Sequence, residues 1–188
     1  MNDYYRVAKP FLGEFNSYSK RRELVKRFSW AIPNDEAIAA IAALPRIVEI
    51  GAGTGYWASL IQAAGGDIIA YDLAHQRENP WGHNVEHFPI QWGGVSKLRT
   101  PECRDRQTLF LCWPPYGEPM AFQSLRSFKG QWVAYVGEGG WGCTGDEKFH
   151  LLLAKKWELT QEVRIPQWYG IHDSLMIYKR RVGINKEV

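Results

Sequence analysis

A short apolar run that leads into glycine at every second position is the strongest constraint on the fold of this chain. Residues 47–50 are mostly β-branched, and Gly51, Gly53 and Gly55 follow them. Residues 57–64 then have the composition of a helix. This order predicts a strand, a tight turn and the start of a helix. Glycine in such a turn lets the backbone approach a ligand closely, and the helix N-terminus offers unpaired N–H groups.

The spacing of these glycines separates two kinds of nucleotide site. The dinucleotide-binding pattern Gly-x-Gly-x-x-Gly would place its third glycine at position 56, which is Tyr56. An acid, Asp72, ends the next predicted strand at residues 67–72. A carboxylate at that place can accept hydrogen bonds from both hydroxyls of a ribose. A glycine turn without a ligand is the structural alternative, and the position of Asp72 favours a nucleoside site.

The segment at residues 49–55 reads Glu-x-Gly-x-Gly-x-Gly. With Asp72 after it, this segment resembles motif I of the class I methyltransferases that use S-adenosylmethionine (AdoMet). The resemblance implies that Glu49 reaches the amino-acid end of AdoMet, directly or through water, and that Asp72 binds its ribose. The segment around residues 87–91 is predicted to hold the third strand. The resemblance also implies a polar residue near the adenine amine, for which Gln91 is the candidate. The cofactor-binding residues predicted in this way are Glu49, Gly51, Ala52, Gly53, Gly55, Asp72, Leu73, Gln91 and Cys112.

A second motif, Trp-Pro-Pro-Tyr-Gly at residues 113–117, directly follows an apolar run at residues 107–112 that predicts a buried strand. It resembles the motif IV loop of aminomethyltransferases, in which Asp, Asn or Ser precedes Pro-Pro-Tyr or Pro-Pro-Phe. The prolines stiffen the loop and would fix backbone carbonyls toward the methyl donor. Tyr116 offers a flat face for a planar acceptor. The resemblance implies methyl transfer to a nitrogen, in which positioning of the amine contributes most.

Trp113 departs from the motif IV pattern. An indole N–H only donates, so this residue cannot accept a hydrogen bond from an incoming amine. Trp113 could instead stack on a planar or cationic substrate. A rigid Pro-Pro turn with buried aromatic side chains is the structural alternative.

Glu138 follows a further predicted strand at residues 131–136 and therefore falls near the same edge of the sheet. There it could orient or deprotonate an acceptor, and a surface acid on a loop is the alternative. The predicted catalytic residues are Trp113, Pro114, Pro115, Tyr116 and Glu138.

Strands and helices alternate along the predicted chain, which indicates an α/β three-layer sandwich. The resemblance implies a Rossmann-like, seven-stranded, mostly parallel sheet with an antiparallel C-terminal strand. We expect one globular domain overall, in which residues 1–45 form a helical segment packed on the AdoMet-binding residues 46–188. Ligands of open α/β sheets bind outside the carboxyl ends of the strands, where both motifs fall.

The first 45 residues contain an aromatic and basic segment. Residues 20–27 have helical spacing and predict an amphipathic helix packed on the sheet domain, with a phosphate-binding or nucleic-acid-binding surface as the alternative. Residues 30–33 could fold over a bound cofactor or fill the core. The chain has nine Trp, more than one small core needs, so we expect some of them to line a concave site.

Composition describes an ordinary globular protein, with 45% hydrophobic residues, 23% charged residues and a net charge of +3. Three scattered cysteines predict free thiols and a cytoplasmic location. No apolar run is long enough to span a membrane. His83 and His87 are four residues apart, but nearby Gly and Pro oppose a helix. We therefore expect exposed loop histidines and no metal site.

These patterns predict an AdoMet-dependent methyltransferase that modifies a nitrogen of an unidentified acceptor, which could be a small molecule, a nucleic acid or a protein. The alternatives are a non-catalytic, methyltransferase-like binding module and a methyltransferase for adenine or cytosine amines in nucleic acid. The oligomeric state is left open by the sequence. The enzyme hypothesis requires a hollow beside the glycine turn that is large enough for a nucleoside.

Overall fold

The computed structural model of this chain describes residues 1–74, 80–83, 85–140 and 142–181. Residues 182–188, the end of the predicted AdoMet-binding unit, lie outside the described residues. Within the described ranges, no helix is long and apolar enough to cross a membrane.

Helices and strands alternate from the first β-branched run onward, as the sequence predicts. Short polar side chains begin several helices: Asn34 accepts a hydrogen bond from the N–H of Ala37, and Asp146 accepts one from the N–H of Phe149. The helices are α1 (Asp3–Ala8), α2 (Tyr18–Arg27), α3 (Asp35–Ala42), α4 (Tyr56–Ala63), α5 (Pro101–Arg104), α6 (Met120–Ser127) and α7 (Glu147–Lys156). The strands are β1 (Ile47–Ile50), β2 (Ile68–Asp72), β3 (Ile90–Trp92), β4 (Thr108–Cys112), β5 (Trp132–Gly137), β6 (Trp157–Arg164) and β7 (Ser174–Arg180).

The strands form one seven-stranded sheet in the order β3-β2-β1-β4-β5-β7-β6. Strands β1 to β5 pair in parallel, and β7 pairs antiparallel with both β5 and β6. Because β1 lies between β2 and β4, the order of strands reverses at β1. Loops that leave the carboxyl ends of β1, β2 and β4 therefore meet at one crevice.

Helices cover both faces of the sheet. On one face, α3 and α4 bury residues such as Ile41, Trp57 and Ile61 against β1, β2 and β4. On the other face, α6 and α7 bury residues such as Leu125 and Phe149. Burial on both faces explains the uninterrupted apolar sequence of the central strands.

The N-terminal segment packs around the start of α4. A cluster of buried side chains joins α1, α2 and the segment before α3 to Tyr56 and Trp168. The backbone N–H of Tyr4 donates to the Tyr56 hydroxyl at 3.1 Å. Trp57 donates its indole N–H to the carbonyl of Ala31 at 3.2 Å, and the Thr54 hydroxyl donates to the carbonyl of Phe28.

The predicted fold class is confirmed, including the mostly parallel sheet and the antiparallel strands at its C-terminal end. The third strand is shorter than expected and begins three residues later, since β3 spans only Ile90–Trp92 whereas the sequence indicates a strand around residues 87–91. Helix α1 falls within the predicted N-terminal helical segment, residues 1–45, but it is not predicted as a separate helix. The basic residues 20–27 lie in α2, whose Leu24 and Val25 are buried, so the amphipathic reading is correct.

Candidate functional site

The glycine turn after β1 is shaped by left-handed backbone angles. Gly51, Gly53 and Gly55 have φ values of 81°, 59° and 72°. Residues other than glycine rarely adopt this region. The N–H groups of Gly51 and Ala52 donate to the carbonyl of Tyr71 at 2.9 and 3.1 Å, which ties the turn to the end of β2.

Asp72 organises the meeting point of the two strand ends. One carboxylate oxygen accepts the N–H of Gly53 at 2.8 Å, and the other accepts the N–H of Ala74 at 2.7 Å. Each oxygen has a further lone pair, so the carboxylate can still accept from a ligand. The side chain is half-buried and borders the crevice.

Glu49 is a buried carboxyl group whose partner is missing. It is only 1% exposed, and its Oε2 atom makes no hydrogen bond with any described residue. Burial raises the pKa of Glu49 well above its usual value, and the nearby carboxylate of Asp72 raises the pKa further. A buried acceptor without a partner is costly, so a donor or cation that enters here would be bound favourably.

A cavity of about 720 Å³ opens between these groups and the loop after β4. This volume lies within the range of small-molecule sites, about 300–1,000 Å³. We name its two halves by their walls. The glycine end is lined by Glu49, Gly51, Ala52, Gly53, Asp72, Leu73, Gly93, Gly94 and Val95, and the tryptophan end by Trp30, Trp81, Trp113, Pro114, Pro115 and Tyr116.

Most of the predicted site residues line this cavity, and Cys112 lies between its two ends. Three predicted residues do not line it. Gly55 caps α4, where an added Cβ would lie 2.8 Å from that of Phe88. Gln91 is exposed, and its amide donates to Glu102 at 3.4 Å. Glu138 follows β5, and its carboxylate is bound by backbone N–H groups of two loops.

The loop after β4 is rigid and strained. Trp113 has φ 52°, a left-handed value that is unfavourable for a bulky residue. Its backbone N–H donates to the carbonyl of Val136 at 2.8 Å, and its indole Nε1–H donates to Asp173 at 2.7 Å. The carbonyl of Pro114 already accepts the N–H of Gly145 at 2.9 Å.

Asp173, which precedes β7, is the acceptor that fixes the indole of Trp113. It is 1% exposed, and burial raises its pKa to about 7. The hydrogen bond from Trp113 lowers the pKa, the negative charge of Glu138 raises it and the positive charge of Arg21 lowers it. Asp173 therefore changes charge near neutral pH.

Aromatic side chains from distant segments meet at the tryptophan end. The rings of Trp30 and Trp113 are nearly parallel, with centroids 5.3 Å apart, and Trp81 meets Trp30 edge-on at 5.8 Å. The guanidinium carbon of Arg21 lies 5.4 Å from the Trp30 centroid and 5.1 Å from that of Trp113. These distances are typical of cation–π contacts.

Glu138 is buried in the loop that follows β5. Its two carboxylate oxygens accept the backbone N–H groups of Cys143 and His172 at 2.7 and 2.8 Å. Burial alone would raise the pKa of Glu138, but these hydrogen bonds outweigh burial and lower it. The contacts fit a group that orders two loops, and they give no support to a general base.

The two loop histidines are less exposed than expected. His83 lines the cavity, and burial lowers its pKa below the ordinary value. Nε2 of His87 lies 2.7 Å from the carbonyl of Arg27, and its ring stacks on Phe28. Among the described residues, no group of three or more His, Cys, Asp or Glu side chains could hold a metal ion.

Sequence reasoning missed Arg21, Trp81 and Asp173 as parts of the site. The excess of tryptophan is a partial signal, because among the described residues Trp30, Trp57, Trp81 and Trp113 line the cavity. Nothing in the local sequence around Arg21 or Asp173 distinguishes them from ordinary charged residues. The sequence predicts that residues 30–33 could fold over a bound cofactor, and Trp30 of this segment lines the cavity.

A scan against models of protein families gives no match, and a search of curated protein sequences also gives none. Solved structures do share the fold. One is a 1,6-didemethyltoxoflavin-N1-methyltransferase from Burkholderia thailandensis, solved with 1,6-didemethyltoxoflavin and S-adenosylhomocysteine. It has a TM-score of 0.55 and 16% identity, with 96% of this chain and 91% of that chain covered.

Two further structures are similar. The magnesium protoporphyrin IX methyltransferase of Synechocystis PCC 6803, solved with AdoMet, has a TM-score of 0.54 and 10% identity over 96% of this chain and 98% of that one. The N-methyltransferase NodS of Bradyrhizobium japonicum WM9, solved with S-adenosylhomocysteine, has a TM-score of 0.51 and 10% identity over 97% of this chain and 100% of that one. The fold of this chain is thus the fold of these methyltransferases.

Proposed function

We propose that this chain, which has the fold of the class I AdoMet-dependent methyltransferases, binds AdoMet and transfers its methyl group to an acceptor. The single observation that carries this proposal is the pair of acids at the glycine end. Glu49 lines the cavity and carries a buried oxygen that has no hydrogen-bond partner among the described residues, and Asp72 borders the same space. AdoMet has an ammonium group and two ribose hydroxyls, which are the donors that such acids accept.

The residues of the glycine end fit this cofactor in three respects. Glu49 would accept from the ammonium group, and the charge of that group would offset the cost of the buried carboxylate. Asp72 would accept from the ribose hydroxyls, while its bonds to Gly53 and Ala74 keep it in place. The adenine would lie near Leu73 and residues 93–95, which line the same end of the cavity.

Bound there, AdoMet supplies an electrophilic methyl group on a sulfonium. The chain itself provides a site shielded by Trp30, Trp81 and Trp113, so that the acceptor is held in line with little water present. A neutral nitrogen with a lone pair needs no prior loss of a proton. A nitrogen acceptor is therefore consistent with the engagement of Glu138 by two backbone N–H groups.

Two further observations support a nitrogen acceptor in a cytoplasmic enzyme. The similar structures include two N-methyltransferases, the B. thailandensis enzyme and NodS. Cys103, Cys112 and Cys143 are free thiols, which fits a reducing compartment.

Titration calorimetry with S-adenosylhomocysteine tests the cofactor assignment. We expect the wild-type chain to bind it, and Glu49→Gln to bind it about tenfold more weakly, because the charge opposite the ammonium group is lost. Glu158→Gln, which changes an exposed acid on β6 outside the cavity, is the matched control. Absence of binding to the wild-type chain at millimolar ligand would refute the proposal.

Transfer of tritium from methyl-labelled AdoMet separates an enzyme from a binding module. Label that enters a small-molecule, nucleic-acid or protein pool supports catalysis, and label found only on oxygen or carbon refutes the nitrogen assignment. Binding of AdoMet with no transfer to any pool would favour the non-catalytic module.

A nucleic-acid methyltransferase is the second candidate, and one surface favours it. A basic groove of about 460 Å³ runs along α2, lined by Ser19, Arg22, Glu23, Lys26, Arg27 and Val85. Against it, the indole N–H of Trp113 only donates, so this side chain offers no acceptor for a base amine. Affinity for a DNA or RNA oligonucleotide that falls steeply with salt would support this candidate.

A further inference from the structure

The tryptophan end offers a ligand flat apolar surface. Trp30, Trp81 and Trp113 all line it, and Tyr116 stands at its mouth with 72% exposure. The near-parallel rings of Trp30 and Trp113 and the edge-on ring of Trp81 form two walls of different orientation. Aromatic walls bury a planar ring with more contact than a puckered one.

Two polar groups of these walls are already engaged. The indole N–H of Trp113 is donated to Asp173, so it does not point to a ligand. The carbonyl of Pro114 accepts from Gly145. Besides these two groups, the walls offer a ligand the faces and edges of the tryptophan rings and the side chain of the exposed Tyr116.

Three indole rings in one cluster could bind a cationic ligand, but a cation of the chain itself, Arg21, already occupies this place. The guanidinium of Arg21 lies within 5.4 Å of the ring centres of both Trp30 and Trp113. Its Nε and Nη2 atoms are buried and make no hydrogen bond with any described residue. The ring faces of these two tryptophans and, at longer range, the carboxylate of Asp173 offset its positive charge. A cationic ligand would compete with Arg21 for these faces and would be repelled by it.

We propose that the acceptor is a planar aromatic small molecule, uncharged on the ring that enters the tryptophan end, and that Arg21 is the residue that excludes cationic acceptors. This inference rests on the methyltransferase function proposed above, because the bound aromatic molecule is a methyl acceptor only if the chain transfers a methyl group. It disfavours protonated amines of proteins and quaternary ammonium compounds as ligands of this site.

Two matched pairs of probes test the shape and the charge of the ligand. Quinoline is planar and neutral at pH 7.5, and N-methylquinolinium is its cationic counterpart. The second pair, 2-naphthol and decahydro-2-naphthol, differs in planarity with charge held at zero. By calorimetry or ligand-observed NMR, we expect the first member of each pair to bind about tenfold more tightly than the second.

Variants assign this selectivity to named residues. Arg21→Met removes the charge and keeps an apolar side chain at the ring faces, so N-methylquinolinium should bind about tenfold more tightly while quinoline changes less than about twofold. A variant that merely loosened the fold would weaken both probes. Arg22→Met, an exposed neighbour on the same helix, should leave the ratio unchanged. Trp81→Leu, at a partly exposed position, should weaken quinoline and 2-naphthol together.

Three results would overturn the inference. They are equal binding of quinoline and N-methylquinolinium to the wild-type chain, an unchanged ratio in Arg21→Met, and absence of binding by all four probes at millimolar concentration. Each series is run with and without S-adenosylhomocysteine. If the aromatic selectivity holds while S-adenosylhomocysteine fails to bind, the methyltransferase proposal fails and the aromatic site stands.

Discussion

The glycine end and the tryptophan end of the cavity are built in different ways. The glycine end consists of the end of β1 with the turn before α4, the end of β2, and residues 93–95 after β3, so its parts lie at the ends of three neighbouring strands. The indoles of the tryptophan end, those of Trp30, Trp81 and Trp113, are held together with Arg21 and Asp173, and these five residues come from five separate segments. The shape of the glycine end depends largely on backbone conformations that glycine allows. The shape of the tryptophan end depends on contacts between side chains.

This difference predicts that the two ends respond separately to substitution. A change at the glycine end should alter cofactor affinity and leave aromatic probes nearly unaffected. A change at the tryptophan end should do the opposite, because residues in separate, non-contacting clusters contribute additively.

Asp72→Ala should give the largest effect. It removes the carboxylate that holds the N–H groups of Gly53 and Ala74 and that would accept ribose hydroxyls. Charge-assisted hydrogen bonds contribute about 1.5–3 kcal/mol each, so affinity for S-adenosylhomocysteine should fall about 100-fold. Trp113→Phe, at the other end, should change it less than about threefold. Calorimetry measures the affinity of both variants for S-adenosylhomocysteine. An equal loss of affinity in both would show that the two ends do not contribute independently to binding.

Asp173→Asn should change how stability depends on pH. Because the pKa of Asp173 is raised in the folded chain to about 7, its contribution to stability is complete below its ordinary pKa and is lost as pH rises through about 7. Asn keeps an acceptor for the Trp113 indole but does not titrate. The wild-type chain should therefore lose on the order of 2 kcal/mol relative to Asp173→Asn between pH 4 and pH 7.5.

Urea unfolding at several pH values measures this difference. Asp105→Asn replaces an exposed aspartate and serves as the control. The free energies of unfolding of Asp173→Asn and wild type are compared at pH 4 and at pH 7.5. If their difference is the same at the two pH values, Asp173 does not change charge as expected.

Gly53→Ala should weaken ligand binding less than Asp72→Ala does. An added Cβ would lie 2.8 Å from the His83 ring beside the cavity, so affinity for S-adenosylhomocysteine should fall about tenfold. Gly65→Ala is a matched control, because Gly65 also has a positive φ, 92°, and open space around it. Both variants should lose about 1 kcal/mol of stability, measured by thermal unfolding. If Gly65→Ala weakened binding as much, close approach of ligand to Gly53 would not be the cause.

The sequence predicts the elements whose signals are local. Hydrophobic periodicity, helix-capping residues and glycine spacing each depend on only a few neighbouring residues. They predict the bounds of β1, α4 and β2 to within one or two residues. The third strand is less well predicted, because β3 has three residues and sits at the sheet edge, where apolar patterning is weak. Gln91, the adenine candidate, falls on this strand and faces solvent.

The tryptophan end was predicted only in part, for a physical reason. The Pro-Pro-Tyr motif locates the loop, but the partners of Trp113 are set by packing between distant segments. Its bond to Asp173 spans 60 residues. Glu138 was placed at the correct end of β5, yet its orientation depends on backbone N–H groups of two later loops, which a linear pattern does not reveal.

The anchoring of the glycine turn to the N-terminal segment has a consequence for how this chain can diverge. Thr54, Trp57 and His87 all meet main-chain carbonyls, those of Phe28, Ala31 and Arg27. Every amino acid carries such a carbonyl, so these bonds constrain the path of the backbone and not the identity of residues 27, 28 and 31. Of the three side chains, that of Arg27 is exposed, whereas Phe28 and Ala31 are buried. An insertion or deletion that shifts the path of residues 27–31 would break all three bonds, and relatives should therefore keep the length of this segment even where position 27 varies.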